Sequence, residues 1–575
     1  MYATFDIEAK RWIEFLILGF YDGKEYKEFY SPKKFLNYIF NKKKYHNLHL
    51  YAHNGGRYDF NFLFDELFSD KYDMKIIDRK GRLLSLVVIN KETKIKIQFI
   101  DSLSLLPLSL KKLCDTFGIK HSKGTIDFNK LNRVTKKLRD YLKTDCIALY
   151  NAINEFDLYM KQIYNHYIED GEKKYKRKLT IASQSWDYFN KINNERFQQL
   201  SEFVEDEFRK NHYSGGRVEV FKGYGENLNY YDINSLYPFA MLQSMPCGHY
   251  YHSNKIIRNR IGFYKVKVLN NIEMNIPPFL IKAKKNKGNY YCNAEKNDEV
   301  YLSSYDINVL NDLGYRFRCI DGIYFDKKEK VFYDFVTQLY ELRKDEVTKG
   351  MDKVLKLLLN SLYGKLGSSR YQKELRFQTS DVETVYNAEL GIVLVDKIRN
   401  SKFILPYLAS YITSIARMEL YKYLISSEPF YCDTDSIITK KNMKTGKNIG
   451  DLKLESKIIK GCFALPKTYS YIDSENKNHS TVKGFSDNFT FNKMYKTLEK
   501  NEKLKSKKTE KPLSFREALR RKKDIKHKVN DFLITVETDK ETVLKYEKRK
   551  IIPDKKYLFK TEPYTIRELE NMNII

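Results

Sequence analysis

The chain has no run of about 18 consecutive apolar residues, the length a helix needs to cross a bilayer, so no membrane span is expected. It is poor in cysteine: seven residues, an odd number, scattered with no CxxC pair. That pattern argues against a disulfide framework and a structural zinc site, and for reduced thiols. Met1 runs at once into a strand-like segment, so no secretory signal is expected and a soluble, cytosolic protein is the reading. Internal repeats and true low-complexity tracts are also missing. Acids are in deficit: 74 Asp and Glu against 103 Lys and Arg leave a formal charge of +29. Such an excess favours a polyanionic partner, nucleic acid before an anionic membrane. The abundance of Lys, Asn, Ile, Tyr and Phe would also follow from an AT-rich genome, so mutational bias remains open as a source of part of the charge.

What is present is length, hydrophobic content and clustered acids. With 575 residues, 42% of them hydrophobic, the chain can bury real cores and should divide into roughly three to five domains or subdomains. Residues 1 to about 170 alternate strand-like and helix-like runs, an α/β pattern. A strand is expected at 228–233, short strands between 244 and 332, and a helical stretch at 333–363. Strand and loop follow at 368–405, then a helix at about 407–424. The stretch 496–528 carries fourteen Lys or Arg against five acids. It reads either as a solvated face or linker, or as a grip on phosphates.

The segment Tyr431-Cys432-Asp433-Thr434-Asp435-Ser436 is the most informative. Two carboxylates one residue apart sit in a short polar turn, with a β-rich apolar run behind them. The pattern predicts a tight hairpin with acids at its tip. At contact distance two such charges repel by about 4 kcal/mol in an effective dielectric near 20. A bound divalent cation offsets that repulsion most simply; an exposed acidic turn is the alternative.

A second acidic group lies near the N-terminus. In Ala3-Thr4-Phe5-Asp6-Ile7-Glu8, residues i and i+2 of a strand share a face, so Asp6 and Glu8 converge while Phe5 and Ile7 enter a core. Asp59 follows the turn His53-Asn54-Gly55-Gly56-Arg57-Tyr58, and Tyr141 and Asp145 share a helical face at i and i+4. Four carboxylates and a phenol match the needs of a two-metal phosphodiester hydrolase, with one cation activating water and the other stabilising the leaving oxygen.

Two further segments complete the reading. Asp232-Ile233-Asn234-Ser235-Leu236-Tyr237-Pro238 ends a strand with an acid beside backbone amides that could hold phosphate oxygens. In Lys356-Leu357-Leu358-Leu359-Asn360-Ser361-Leu362-Tyr363-Gly364, the residues Lys356, Asn360 and Tyr363 fall on one helical stripe. A cation, an amide and a ring on one face suit a nucleoside triphosphate, and Lys344 could add a second cation. For any one of these residues, an ordinary polar helix face or a core aromatic is the competing explanation.

Taken in order, DIE, NGGRYD and YLKTD resemble the three motifs of the proofreading 3′–5′ exonucleases, and DxNSLYP, KxxxNSLYGK and YCDTDS resemble motifs A, B and C of family B DNA polymerases. Tyr213-Ser214-Gly215-Gly216, Thr413 to Arg417 (Tx2AR) and Lys467-Thr468-Tyr469 are similar to motifs of the protein-primed branch found in small tailed phages. The resemblance implies an α/β and α+β multidomain fold: an RNase H-like exonuclease domain followed by a right-hand polymerase with two terminal-protein-region inserts. Its parts would be the exonuclease at 1–171, palm at 172–243 and 406–484, inserts at 244–332 and 368–405, fingers at 333–367 and thumb at 485–575. The first insert would help hold a priming protein, the second would encircle DNA, and the thumb, with its lysine-rich run, would hold product duplex.

Residue by residue, the resemblance implies that Asp232 and Asp435 hold two Mg²⁺ ions, with Mn²⁺ an alternative and Asp433 in support. Lys344 and Lys356 would neutralise triphosphate charge. Tyr237 would stack under the sugar and exclude a 2′-hydroxyl, Ser235 and Leu236 would bind the nucleotide beside it, and Asn360 and Tyr363 would line the nascent pair. Asp6, Glu8, Asp59 and Asp145 would hold the nuclease metals, with Tyr141 orienting water. Asn54, Tyr58, Ser102, Leu103 and Lys123 would contact the single strand. Tyr213, Gly215, Gly216, Thr413, Arg417, Lys467 and Tyr469 would contact primer or template. Ala9 stands where phage relatives commonly carry Thr after the glutamate, which removes one contact to a 3′ end. Implied partners are template-primer DNA, dNTPs, a terminal protein primer and a single-strand-binding protein, with the chain a monomer or a heterodimer with the terminal protein in the host cytoplasm. Three other readings stay open: a family B polymerase with an ordinary nucleic-acid primer, an RNA-templated or RNA-making polymerase, and a non-catalytic DNA-binding replication scaffold.

Overall fold

The computed structural model describes the chain except residues 11–13, 80–81, 121–132, 285–287, 345–347, 378–384, 388–391, 399–400, 486, 488, 507–508, 513–534 and 539. Lys123 and much of the lysine-rich stretch 496–528 therefore lie outside the described residues, as does the side chain of Lys344.

Two seven-stranded sheets organise the molecule. The first builds the N-terminal part, in the order Tyr26–Phe29, Glu14–Tyr21, Tyr2–Lys10, Leu48–Ala52, Lys96–Asp101, Arg82–Asn90, Tyr72–Arg79. Its three middle strands run parallel, which requires crossovers; the helix Pro32–Phe40 lies in the first. The alternation read from the sequence is present: Phe5 and Ile7 are buried in a core with Phe35, Phe60 and Phe99. A bulge after Glu8 ends the regular pairing of Tyr2–Lys10 with its neighbour just past the second acid. The long helix Lys136–Tyr167 crosses this sheet, Thr4 Oγ1 donating to the carbonyl of Cys146 at 2.7 Å. Gly19 permits the approach, because a Cβ there would stand 2.9 Å from Leu142 Cγ. The second half of that helix, from Ala148 to Tyr164, belongs to the core it shares with the helix Lys349–Leu366, so the helix ties the two halves of the chain together.

The second sheet is antiparallel, in the order Asn478–Val482, Thr468–Asp473, Leu452–Leu465, Tyr224–Ile233, Ser436–Thr439, Tyr431–Asp433, Val218–Val220. The expected acidic hairpin is its sixth and fifth strands. The helix Pro406–Ser427 is buried over most of its surface and joins the same core; apolar residues surround it on every side, as a fully enclosed helix requires.

Residues 333–363 form two helices rather than one. The first is Tyr333–Lys344, and the second, Lys349–Leu366, starts at Thr348, whose hydroxyl accepts the Met351 N–H at 3.2 Å. A threonine N-cap of this kind favours a helix start over helix continuation. Residues 244–332 fold into a four-stranded sheet (Met245–His252, Phe317–Glu329, Gly262–Val268, Glu299–Ser303) with the helix Ser304–Asp312. A smaller sheet pairs Phe279–Lys282 with Asn289–Asn293, and its third strand, Tyr564–Thr565, comes from the far end of the chain. The closing helix Ile566–Asn571 buries Ile566 and Leu569 in the core of this insert. The stretch read as one thumb, 485–575, thus sends its last residues back onto the insert.

Candidate active site

Backbone pairing brings the two acidic segments of the second sheet together. The strand Tyr224–Ile233 places Asp232 opposite Ser436 in antiparallel register, and the Ile233 N–H donates to the Asp435 carbonyl at 2.7 Å. At the hairpin tip Thr434 takes a left-handed φ of 63°, and Asp435 N–H reaches back to the Asp433 carbonyl at 2.7 Å. Asp232 and Asp435 face one cavity while Asp433 turns elsewhere. Both oxygens of Asp433 accept Lys467 Nζ, at 2.7 and 2.9 Å, so its charge is already compensated. Burial, then the facing Asp435 and Glu455 carboxylates, pushes Asp232 up to about 7. Burial, with the neighbouring Asp433, also raises Asp435. Two half-enclosed carboxylates that hinder each other's ionisation are hard oxygen donors suited to Mg²⁺. The carboxylate donors that line this cavity are this pair with Glu455. Among the described residues, here or at the N-terminal acids, no three His, Cys, Asp or Glu side chains are gathered closely enough to hold an ion by themselves, so phosphate oxygens or water would have to complete either site.

The cavity measures 430 Å³, within the range that holds a small organic ligand. Asp232, Ser235, Leu236, Tyr237, Lys356, Asn360, Tyr363 and Asp435 all line it. The stripe on the helix Lys349–Leu366 is real: Lys356 and Asn360 are exposed, whereas Leu355, Leu358, Leu359 and Leu362 are buried behind them. Tyr237 stacks on Tyr363 with ring centroids 4.0 Å apart and planes at 15°, forming an aromatic floor. Lys356 is close enough to favour the ionised forms of both Asp232 and Asp435. Tyr340, Arg343, Lys447, Lys453 and Glu455 also line the cavity and were not singled out from the sequence. Arg343 precedes Lys344 by one residue, and its Nε donates to Asp352 Oδ1 at 2.7 Å. The Lys and Glu residues come from the segment after the hairpin, where no local pattern marks them.

Residues assigned to primer contacts divide into two sets. Lys467 and Tyr469 lie on the turn and strand beside Asp433, partly exposed. Thr413 and Arg417 instead sit inside the molecule. Thr413 Oγ1 donates to the Ser410 carbonyl, and Arg417 Nη1 donates to the carbonyls of Ser214 and Gly215 at 2.9 and 3.2 Å. Arg417 therefore pins the linker that carries Tyr213, Gly215 and Gly216. Gly216 passes so close to the hairpin that a Cβ would lie 2.8 Å from Thr434 Cγ2.

The N-terminal acids form a second constellation. Asp59 is buried and accepts the Ile7 N–H at 3.0 Å, locking the NGGRYD turn to the strand between Asp6 and Glu8. Burial pushes Asp59 up to about 7. The Cys146 thiol is raised by burial and then by Asp6, Asp145, Asp59 and Glu8 together, so all four acids lie within electrostatic reach of one point of the long helix. Burial, then Asp145, Glu8 and Asp6, raises Tyr141, and burial, then Asp59, Glu8 and Asp6, raises Tyr58. Ser102 is fully buried: its hydroxyl pairs with His53 Nδ1 at 3.0 Å and donates to the Ala52 carbonyl. Leu103 N–H donates to Asp101, and Arg82 bridges Asp101 Oδ2 at 2.7 Å and Asn54 Oδ1 at 3.4 Å. Ser102 thus positions His53, and Arg82 orients Asn54; neither His53 nor Arg82 was selected as a site residue from sequence.

The family model for DNA polymerase type B, organellar and viral, matches residues 39–137 and 128–449. The chain is 27% identical to a probable DNA polymerase of Agaricus bitorquis over 75% of its own length and 65% of the relative's. It is 25% identical to the DNA-directed DNA polymerase of Enterobacteria phage PRD1, over 81% of each chain. The chain spans between 41% and 65% of the length of the first four relatives it matches. Its fold matches the structure of Phi29 DNA polymerase complexed with primer-template DNA and incoming nucleotide, with a TM-score of 0.73 at 20% identity, over 95% of this chain and 99% of that one.

Proposed function

We propose, from the premise that the chain belongs to the organellar and viral type B DNA polymerases, that it is a DNA-directed DNA polymerase with a separate 3′–5′ exonuclease site, priming on a protein. One observation carries the polymerase reading: Asp232, Asp435, Lys356 and the Tyr237–Tyr363 stack line one cavity of nucleotide size. In this reading Tyr237 and Tyr363 hold the sugar and base of an incoming dNTP, and Lys356 meets its phosphates. Asp433, neutralised by Lys467, keeps the hairpin tip in place. Divalent cations, Mg²⁺ in the first instance, would be held by Asp232 and Asp435 here and by Asp6, Glu8, Asp59 and Asp145 in the nuclease, supplying charge neutralisation at the transferring phosphate. The four acids within electrostatic reach of Cys146 and the Tyr141–Asp145 pair support the nuclease assignment.

Protein priming is supported by the likeness to the PRD1 enzyme and by an insert at 244–332 folded as a sheet of its own. Primer extension with dNTPs against rNTPs tests the chemistry: dNTPs should be used in strong preference, and equal use would sink the DNA assignment. Incubation with labelled dATP and a candidate terminal protein tests the primer. Covalent labelling of that protein supports protein priming, whereas extension of DNA primers with no such labelling favours an ordinary primer.

A further inference from the structure

The acidic hairpin has the sheet's central strands on one side and, on the other, among the described residues, only the three-residue strand Val218–Val220. That strand sets Val218 opposite Asp433, Glu219 opposite Cys432 and Val220 opposite Tyr431, and the Arg217 carbonyl accepts the Thr434 N–H at 2.7 Å. A pairing this short needs support from elsewhere. The support comes from the C-terminal segment. Thr561 N–H donates to the Phe221 carbonyl at 3.0 Å, Thr561 Oγ1 to the Val220 carbonyl at 2.9 Å, and Gly223 N–H to the Phe559 carbonyl at 3.0 Å.

Glu219 sits at the junction, 2% exposed, with an arginine on each side. Arg217 Nε donates to its Oε2 at 2.5 Å, and Arg549 Nη1 stands 3.4 Å from its Oε1. Arg549 is as buried as Glu219 and uses its whole fork: Nε donates to Thr561 Oγ1 at 2.9 Å and Nη2 to the Asn275 carbonyl at 2.6 Å. Arg217 Nη1 reaches the neighbouring Pro277 carbonyl at 3.0 Å. One carboxylate thus joins the edge strand, the insert 244–332 and the end of the chain. A planar fork with several fixed donors serves such a junction where a lysine would not.

We propose that Arg549 is a positioning residue for polymerisation: from the C-terminal segment it holds the strand Val218–Val220, and through it the acidic hairpin, in the register that sets Asp435 against Asp232. The inference rests on the polymerase reading above. Without Arg549, Glu219 keeps one partner, and the edge strand loses its side-chain link through Glu219 to the Asn275 carbonyl and the Thr561 hydroxyl, retaining the direct bonds of Thr561 to Val220 and Phe221. The elements that would contact the nucleotide, the helix Lys349–Leu366 and the turn at Tyr237, pack in a different core from Val220 and Tyr431. The rate of the chemical step should therefore fall while nucleotide affinity holds.

The test is Arg549→Met in the full chain, with wild type alongside in the same extension assay. The kcat of primer extension should fall about 10- to 100-fold, the range for a small misplacement originating away from the chemistry, with KM for dNTP and the nuclease rate on single strands within about twofold. Amide hydrogen exchange should quicken across 430–436 and stay unchanged in residues 14–79. Wild type that does not extend primers defeats the polymerase reading itself. An active wild type with an unchanged kcat in the variant overturns the role of Arg549, as does exchange that quickens throughout the chain. If Arg549→Met does not fold, Arg549→Lys keeps a charge beside Glu219 but loses the fork. It should melt near wild type with a lowered kcat, and a wild-type kcat, or failure of both variants to fold, assigns Arg549 to stability alone and overturns the proposal.

Discussion

Asp435→Asn should make the metal-free protein more stable while removing its polymerase activity. Asp232 is shifted from 3.8 to about 7, with burial as the larger cause and Asp435 as the next. At 1.36 kcal/mol per unit the whole shift corresponds to ~4 kcal/mol. Burial takes the larger part, and solvent at this partly open site screens the remainder, leaving about 1 kcal/mol for the repulsion by Asp435. An isosteric amide removes that repulsion and keeps the hairpin backbone. In EDTA at pH 8, where both acids are driven towards ionisation, the variant should melt about 2–4 °C above wild type, the shift expected for about 1 kcal/mol in a domain of the palm's size. Added Mg²⁺ should raise the midpoint of wild type and leave that of Asp435→Asn where it was, because the variant lacks half of the carboxylate pair. Extension should drop by about a thousandfold or more, equivalent to about 4 kcal/mol of lost transition-state stabilisation. Calorimetry with and without Mg²⁺, with extension measured on the same preparations, makes the comparison. A variant that melts below wild type in EDTA, or gains as much from Mg²⁺, would refute the reasoning that these carboxylates oppose each other until a cation joins them.

Asp6→Ala with Glu8→Ala should abolish degradation of single strands and leave extension intact; an unchanged nuclease rules out that site. Tyr237→Val opens the floor beneath the sugar and should raise rNTP use relative to dNTP by about tenfold or more, read from single-nucleotide incorporation; an unchanged ratio removes Tyr237 from sugar selection. His212 is packed among Phe208, Phe263 and Tyr301, and burial, reinforced by Lys282, lowers it to about 3. Its native pKa lies below the unfolded value near 6.5, so the unfolded chain binds the extra proton, and stability falls as pH drops from about 6.5 towards 3, by at most ~1.4 kcal/mol per pH unit. His212→Phe should flatten the unfolding midpoint between pH 6.5 and 5 relative to wild type, and parallel pH profiles would show that His212 does not contribute.

What was legible in the sequence is what local spacing controls. Asp6 and Glu8 share a face because a strand repeats every two residues, and Lys356, Asn360 and Tyr363 share one because a helix repeats near every four. The hairpin was legible because Asp433 and Asp435 stand at the end of an apolar run. Long-range partners left no such mark. Nothing near Asp433 names Lys467, 34 residues on, and nothing near Glu219 names Arg549, 330 residues away. Motif likeness placed Thr413, Arg417 and Ser102 against nucleic acid, yet their side chains are turned inward on Ser410, the 214–215 backbone and His53. The break at Thr348 was hidden by helical periodicity on both sides, although a threonine N-cap is a local signal. The C-terminal strand Tyr564–Thr565 could not be assigned to the insert's sheet from sequence, because its two residues carry no periodicity and its partner lies some 270 positions earlier.

The central claim is that one cavity, between Asp232, Asp435, Lys356 and the Tyr237–Tyr363 stack, makes DNA. Extension of a primer on a circular single-stranded template with Mg²⁺ and all four dNTPs tests it most directly, with Asp232→Asn as the control. The wild-type chain should yield products longer than one circle and the variant none. No extension by wild type, or extension that survives Asp232→Asn, would contradict the account.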